Sequence, residues 1–191
     1  MGQYYVAILI DEQNQPSTLS PYDFDNGAKL MEHSYIANNF VNAVLSELRD
    51  TPHRVYWLGD YAESKHFLNG DFRLTNQQCQ EMSTNESIRV QPTPANQIWI
   101  YDEFYAINLD KREYLKFEKN DPHLYQINPL PLLTAVGNGE GGGDYAGVGE
   151  DNVGIWSGNY IYITDKLPTD KDFEEEFQDK TQEYLFGFSW C

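Results

Sequence analysis

Seven of the 14 glycines in this chain fall in one short segment, residues 134–152, which reads TAVGNGEGGGDYAGVGEDN. Backbone N–H groups in such a segment can form a concave nest that holds an anion. A P-loop is excluded, because Asp144 and Tyr145 stand where Lys and Ser or Thr are required. Residues 137–142 match the G-x-G-x-x-G pattern of dinucleotide-binding turns, but the following sequence does not predict the helix that such a turn opens. The acidic residues are wrongly spaced for an EF-hand.

Two interpretations of the glycine-rich segment stay open. It is either a spacer that crosses the edge of a sheet, or a lid whose backbone N–H groups contact a small anionic ligand. A glycine costs about 1 kcal/mol relative to alanine in a regular element, and a simple connection would not need so many. On the second interpretation, the ligand-binding residues are Gly137, Asn138, Gly139, Gly141, Gly142, Gly143, Asp144 and Tyr145.

Four further residues have side chains that could complete a binding site. Trp57 and Trp156 offer aromatic faces for stacking, and Asp60 closes a predicted strand. His33, which follows Glu32, could act as a general base, although a lone histidine on a helix is more often structural. The chain has no nucleophile-elbow, zincin or Cys/His motif. We therefore predict no catalytic residue and no metal ligand, and the cofactor is left unknown.

The charge of the chain restricts its partners. Thirty acidic residues against 13 basic residues give a net charge of −17, which opposes direct binding to nucleic acids and to anionic membranes. A basic protein partner is compatible with this charge. A small anionic ligand would require a local cluster of cations, for which the candidates are Lys29, Arg54, Lys111 and Arg112.

Other features of the composition concern location and assembly. The two cysteines indicate neither a disulfide framework nor a metal site. The N-terminus lacks the pattern of a secretory signal, and no apolar stretch reaches the length of a membrane span, so we expect a cytoplasmic protein. The oligomeric state is left open, a homo-oligomer included.

The candidate residues must be positioned by the strands and helices that the hydrophobic pattern predicts. Strand-like runs occupy residues 3–11, 53–63, 97–110 and 153–165. Helical spacing over 28–48 predicts one long helix or two shorter helices broken near Ser34, and an acidic helix is predicted over 169–187. Residues 64–96 are predicted to form an irregular connection. The expected fold is α+β, a single domain over 1–191 with a mixed or antiparallel sheet and helices on one face.

The two halves of the chain are similar to each other. RVYWLGDYAE in the first half matches VGIWSGNYIYI in the second, which pairs Trp57 with Trp156. QYYVAILID likewise matches EFYAINLDK. We therefore predict an internal repeat, 3–63 and 103–165, in which two β-α-β-like halves share one core around a pseudo-twofold axis.

Several segments resemble a family of uncharacterised proteins from bacteria and their phages. They are MGQYY, KLMEHSY, NNFVNAV, WLGDYAE, LDKREY, PLPLLTAVGNGEGGGDY and VGIW. The resemblance covers most of the chain except residues 65–95 and the acidic C-terminal segment. That family has no established activity, so the resemblance assigns no catalytic residue. It implies a bacterial or phage source and a cytoplasmic accessory role, such as counter-defence against the host.

Three functions are compatible with these observations. The first is a non-enzymatic binding protein that sequesters a small nucleotide-like ligand between the glycine-rich segment and nearby aromatic residues. The second is an acidic protein that inhibits a basic partner or mimics nucleic acid, for which the run DKDFEEEFQDK is suited. The third is a metal-assisted hydrolase built on Asp60, His33 and Glu32, which no ligand spacing supports.

Overall fold

A computed structural model describes residues 2–34, 38–63, 76–92, 104–117, 127–139 and 144–187. Within these residues, eight strands and five helices form an α+β fold, which confirms the predicted class. The strands are β1 (Tyr5–Ile10), β2 (Pro16–Leu19), β3 (His53–Gly59), β4 (Phe104–Asn108), β5 (Glu113–Phe117), β6 (Ala135–Val136), β7 (Tyr160–Thr164) and β8 (Gln178–Asp179). The helices are α1 (Leu30–His33), α2 (Asn39–Glu47), α3 (Asn76–Thr84), α4 (Pro129–Leu133) and α5 (Lys171–Glu176).

The strands form one mixed sheet in the order β2-β1-β3-β7-β4-β5-β8, and the short β6 pairs with β3. The β3–β6 and β5–β8 pairs are parallel, and the other pairs of these strands are antiparallel. Strands β1 and β3 are buried along almost their whole length. Their near-continuous apolar sequences suit strands that are covered on both faces.

Helices cover both faces of the sheet, so the prediction of helices on one face was wrong. Helices α1, α2 and α4 pack on the face that carries Tyr5. Helix α3 packs on the opposite face, where Cys79 and Met82 contact the cluster around Ile8. This helix lies within 64–96, where an irregular connection was predicted. Its sequence is mostly polar, and two apolar positions give only a weak helical period.

The helical segment near the N-terminus consists of two short helices rather than one long helix. Helix α1 ends at its C-cap Ser34. Helix α2 begins after Asn38, whose side chain accepts a hydrogen bond from the backbone N–H of Val41 at 3.0 Å. An N-cap of this kind satisfies one of the free N–H groups at the start of a helix.

The acidic C-terminal helix is shorter than the predicted 169–187. Asp170 caps the start of α5 by accepting from Phe173 N at 2.9 Å, and at Phe177 the backbone is already extended. The chain then pairs with β5 as β8, where Gln178 N donates to Arg112 O at 2.9 Å. The edge of the sheet therefore competes with the helix for this segment, because an edge strand offers unpaired backbone groups.

Apart from β6 and β8, the order of the strands is symmetrical about the contact between β3 and β7. On one side the β1–β2 hairpin is followed by two helices and β3, and on the other the β4–β5 hairpin is followed by α4 and β7. The two central strands pair with Arg54 opposite Tyr160. The predicted repeat uses a different register. It matches Trp57 of β3 with Trp156, which lies in a turn before β7, where Gly158 has a positive φ of 73°. The matched sequences therefore differ in backbone conformation.

Candidate functional site

The glycine-rich segment begins at the end of the sheet where β3 and β6 finish and β1 starts. We call this end of the strands the glycine edge. Strand β6 runs parallel to β3, with Leu58 opposite Val136. Strand β1 starts beside the end of β3, with Tyr5 opposite Gly59. The chain leaves β6 at Gly137 and therefore passes next to the first residues of β1. Ends of parallel strands are common places for binding sites, since the loops there are free to vary.

A cavity of about 360 Å³ lies at this edge, and we call it the glycine-edge cavity. Five described residues that were not predicted also line it: Tyr5, Leu30, Ala135, Glu150 and Val153. The predicted ligand-binding residues that line it are Gly137, Asn138, Gly139, Asp144 and Tyr145. The predicted residues Gly141, Gly142 and Gly143 lie outside the described residues.

Hydrogen bonds connect two residues of the glycine-rich segment, Asn138 and Asp144, to the start of β1. The hydroxyl of Tyr5 donates to Asp144 Oδ1 at 2.7 Å and lies 3.1 Å from Gln3 Oε1. Gln3 Oε1 also accepts from the backbone N–H of Asn138 at 3.1 Å. A phenol has one hydrogen, and the shorter contact to a charged acceptor is the stronger bond. Asn138 on one side and Asp144 on the other are thus held through the same two side chains.

Burial of Tyr5 raises the pKa of its phenol, and the hydrogen bond to Asp144 raises it further. Burial disfavours the charged phenolate, and a neighbouring carboxylate repels it. The hydroxyl therefore stays protonated and acts as a hydrogen-bond donor, not as a base.

Two glycines are required at this edge because side chains approach their Cα atoms closely. A Cβ on Gly137 would lie 2.1 Å from the Tyr5 hydroxyl oxygen, and a Cβ on Gly59 would lie 2.3 Å from Gln3 Nε2. Gly139 is different, because it has a positive φ of 68° and open space around its Cα. Gly137 and Gly59 are therefore explained by the close approach of side chains, and Gly139 by its backbone conformation. None of the three needs a role as a flexible spacer.

Gln3 carries an unpaired donor in this cluster. Its side chain is completely buried, and within the described part of the chain its Nε2 has no hydrogen-bond partner. An unpaired buried polar group costs about 1–3 kcal/mol. Such groups are few in native folds, and this one belongs to a side chain that is hydrogen-bonded to Tyr5 and Asn138, both of which line the glycine-edge cavity.

The charges at the glycine-edge cavity are negative. Asp144 is half-buried and Glu150 is exposed, and both line the cavity. Among the described lining residues there is no lysine or arginine. The four cations considered for an anionic ligand therefore do not gather here. Two carboxylates attract a cation or a hydrogen-bond donor and repel an anion.

Two of those four cations have structural partners elsewhere. Arg54 is buried, with its guanidinium 3.2 Å from Asp110 Oδ2, and it donates to Gly158 O at 2.7 Å. Arg112 forms an ion pair with Glu176 at 3.0 Å, which joins the β4–β5 turn to α5. Arg54 therefore stabilises the centre of the sheet, and Arg112 fastens its edge.

His33 and Trp57 belong to the core and do not line the cavity. Trp57 Nε1 donates to His33 Nδ1 at 2.9 Å, so the imidazole proton is on Nε2, which lies 2.7 Å from Gly27 O. Burial lowers the pKa of His33 to about 4. The ring is neutral and both of its nitrogens are engaged, so His33 has no atom left for a metal ion or a proton transfer. Glu32 is also engaged, because its Oε2 accepts from Lys29 N at 2.9 Å at the start of α1.

Trp156 is buried in another part of the core. Its Nε1 donates to Glu113 Oε2 at 3.0 Å, and the same oxygen accepts from the Tyr184 hydroxyl at 3.0 Å. This group joins the turn before β7 to β5 and to the C-terminal segment. Trp156 therefore has a structural role in the fold and is not brought to the cavity.

Asp60 lies near the same edge of the sheet but lines a different cavity. Tyr4 N donates to Asp60 Oδ1 at 2.9 Å, and Asp60 N donates to Tyr4 O at 2.9 Å. The site predicted as one group is thus divided: five residues share the glycine-edge cavity, and His33, Trp57 and Trp156 lie in the core.

Sequence reasoning missed Gln3, Tyr5 and Glu150. Tyr5 lies in a strand whose apolar pattern predicts a core residue, and nothing in that pattern separates its hydroxyl from the rest of the ring. Gln3 precedes the strand and carries no motif. A weak signal was available, since a glutamine beside a continuous apolar run is a polar group that burial would force to find partners.

Within the described residues, no group of three or more His, Cys, Asp or Glu side chains is arranged to hold a metal ion. In the same residues, no helix is both long and apolar enough to cross a membrane. No protein-family model matches the chain, and searches of curated proteins and of solved structures returned no match.

Proposed function

We propose that this chain is a non-enzymatic binding protein that holds a small polar ligand in the glycine-edge cavity. The observation that carries the proposal is a pair of hydrogen bonds: the Tyr5 hydroxyl donates to Asp144, and Gln3 Oε1 accepts from the backbone N–H of Asn138. These bonds hold Asn138 and Asp144, two residues of the glycine-rich segment, at one cavity. A merely connecting loop needs no such attachment to the first residues of the sheet.

The size of the cavity supports a small ligand. Its volume of about 360 Å³ lies at the lower end of the range for small-molecule sites, roughly 300–1,000 Å³. The wall combines apolar surface from Leu30 and Val153 with polar groups from Asn138 and Asp144. Binding sites of this kind bury the apolar part of a ligand and orient it with few hydrogen bonds.

The charges at the cavity indicate the class of ligand. Because Asp144 and Glu150 are acceptors, the ligand should present N–H or O–H donors and be neutral or cationic. A phosphate would be repelled, so a nucleoside or an amine fits better than the anionic, nucleotide-like ligand expected from the sequence. In a bacterial or phage setting, such a protein would act by sequestering its ligand.

The engaged state of the nearby titratable groups supports binding rather than catalysis. The Tyr5 hydroxyl is held protonated, and His33 has no free ring nitrogen. General acid–base chemistry needs a group that can change its protonation state near neutral pH.

The test is native mass spectrometry after incubation with the small-molecule fraction of a bacterial extract. We expect an added small-molecule mass on the wild-type protein that disappears under denaturing conditions. Asp144→Asn should lose it, because the substitution removes the charge and one acceptor at the cavity. Asp165→Asn is the matched control, since Asp165 is exposed and does not line the cavity. A bare mass for the wild type, or equal retention by Asp144→Asn, would contradict the proposal.

A second variant tests the attachment itself. Tyr5→Phe removes the hydroxyl that joins Asp144 to β1, so we expect the free energy of unfolding to fall by about 1 kcal/mol and ligand retention to decrease. Tyr4→Phe is the control, because the Tyr4 side chain is 49% exposed and lies next to Tyr5 in the chain. Urea unfolding measures the first effect, and native mass spectrometry measures the second. Equal losses in both variants would show that the Tyr5 hydroxyl has no special role.

A further inference from the structure

A second cavity lies on the opposite face of the sheet, between β1 and α3. Its volume is about 520 Å³, and we call it the Tyr4–Tyr22 groove after the two exposed aromatic residues among those that line it. The side of α3 that faces it carries Gln80. Tyr5 lines both cavities, so the start of β1 separates them.

Two of the three tyrosines that line the groove are exposed. Tyr4 is 49% exposed and Tyr22 is 63% exposed, and both residues line the groove together with the apolar residues Val6 and Leu58. A single exposed aromatic residue is ordinary. Two of them on one concave apolar surface are typical of a place where another molecule binds.

A fixed carboxylate lies in the same groove. The backbone N–H of Tyr4 holds Asp60 Oδ1 at 2.9 Å. Among the described residues, Asp60 Oδ2 has no hydrogen-bond or ion-pair partner, and no other charged side chain lines the groove. The carboxylate is therefore oriented before binding and keeps a free acceptor. The exposed amide of Gln80 provides a second polar group across the groove.

These observations together select the chemistry of the occupant. Tyrosine faces attract cations, and a planar guanidinium can stack on a ring while its N–H groups reach a carboxylate. The net charge of −17 favours the approach of a basic macromolecule. We propose that the Tyr4–Tyr22 groove binds an arginine side chain of a basic protein partner, with the guanidinium on the tyrosine rings and one N–H group donated to Asp60.

The test is a titration of the ¹⁵N-labelled protein with two blocked tripeptides, followed by NMR. One peptide is acetyl-Gly-Arg-Gly-amide, and the other replaces arginine with citrulline, which has nearly the same shape and no charge. We expect the arginine peptide to shift the amide signals of Tyr4, Tyr22 and Asp60, with a dissociation constant in about the millimolar range. The citrulline peptide should bind at least about tenfold more weakly. Equal shifts with both peptides, or no shift at these residues, would overturn the proposal.

Variants separate the contributions of charge and ring. Asp60→Asn keeps the oxygen that accepts from Tyr4 N but removes the charge. We expect it to lower the affinity for the arginine peptide about tenfold. Tyr22→Ala should lower the affinity for the arginine peptide about threefold. Tyr22→Phe should keep this affinity within about twofold of the wild-type value, because the aromatic face remains. Asp165→Asn controls for the change in net charge. An equal loss of affinity for the arginine peptide in Asp165→Asn and Asp60→Asn would show that Asp60 forms no specific site.

The two proposed sites can fail independently. Asp144→Asn alters the glycine-edge cavity and should leave the binding of the arginine peptide unchanged. Asp60→Asn should likewise leave the mass retained in the glycine-edge cavity unchanged. A peptide that binds but loses affinity in Asp144→Asn would show that the groove is not the site. The NMR spectrum of each variant also reports whether it is folded.

Discussion

At the level of single residues, the imidazole of His33 connects two parts of the core. It accepts a hydrogen bond from Trp57 and contacts the carbonyl oxygen of Gly27 before α1. The ring also packs against Phe40 of α2, with centroids 4.8 Å apart. A residue whose type suggests catalysis therefore holds helices against the sheet, because burial leaves its polar atoms no alternative to internal partners.

This arrangement predicts a dependence of stability on pH. Burial lowers the pKa of His33 from 6.5 to about 4, so between these pH values the unfolded chain binds a proton that the folded chain does not. The free energy of unfolding should therefore decrease as pH falls from 6.5 to 4, by up to about 3 kcal/mol from this residue. Urea unfolding at several pH values measures this change. We expect the free energy of unfolding to depend less steeply on pH in His33→Gln than in the wild type. Parallel slopes for the two proteins would mean that His33 is not buried in the neutral form.

At the level of elements, the glycine-rich segment is best understood together with the strands beside it. Gly137 and Gly59 permit the close approach of Tyr5 and Gln3, and Gly139 has a positive φ. These three positions have defined structural requirements. The sequence showed an excess of glycine here, but it did not show which glycines have contacts, because those contacts come from residues at the other end of the chain.

The requirement at Gly137 can be tested against Gly139. Gly137→Ala places a Cβ against the hydroxyl of Tyr5, so we expect a loss of about 2 kcal/mol of unfolding free energy. Gly139→Asn should cost less than about 0.5 kcal/mol, because the space is open and asparagine tolerates this backbone conformation. Urea unfolding measures both.

A double variant identifies the cause of the first effect. In a Tyr5→Phe background the nearer clashing oxygen is absent, although Gln3 Oε1 would still lie 2.6 Å from the new Cβ. Gly137→Ala should therefore cost less than it does in the wild type, but not nothing. The same cost in both backgrounds would show that the effect does not come from the Tyr5 hydroxyl.

At the level of the whole molecule, charge is the dominant property. A net charge of −17 produces self-repulsion in the compact state that exceeds repulsion in the expanded unfolded chain. The described ion pairs, such as Arg54–Asp110 and Arg89–Asp23, oppose this effect only locally.

We therefore expect salt to stabilise the fold. Raising NaCl from 10 to 150 mM shortens the screening length from about 30 to about 8 Å, which weakens the repulsion between distant carboxylates more than it weakens close ion pairs. The melting temperature should rise by several degrees. Potassium chloride at the same concentrations is the control for ion identity. A constant or falling melting temperature would show that attractive pairs balance the net charge.

The sequence by itself determined the properties that depend on local pattern and composition. Strands β1 and β3 and the α+β class follow from apolar periodicity. The same periodicity placed helix within 28–48 but left open whether it is one long helix or two shorter helices broken near Ser34. Helix α3 was missed because its buried side has few apolar residues. The C-terminal helix was predicted too long because its last part pairs with β5 instead.

Only the tertiary structure decided which polar atoms meet. It brought Tyr5 to Asp144, His33 to Trp57 and Trp156 to Glu113. It also divided the predicted site, because Asp60 faces α3 across a groove on the other side of β1. Such contacts join residues far apart in the chain. They depend on which strands pair and on which face of the sheet each helix packs, and no local pattern specifies either.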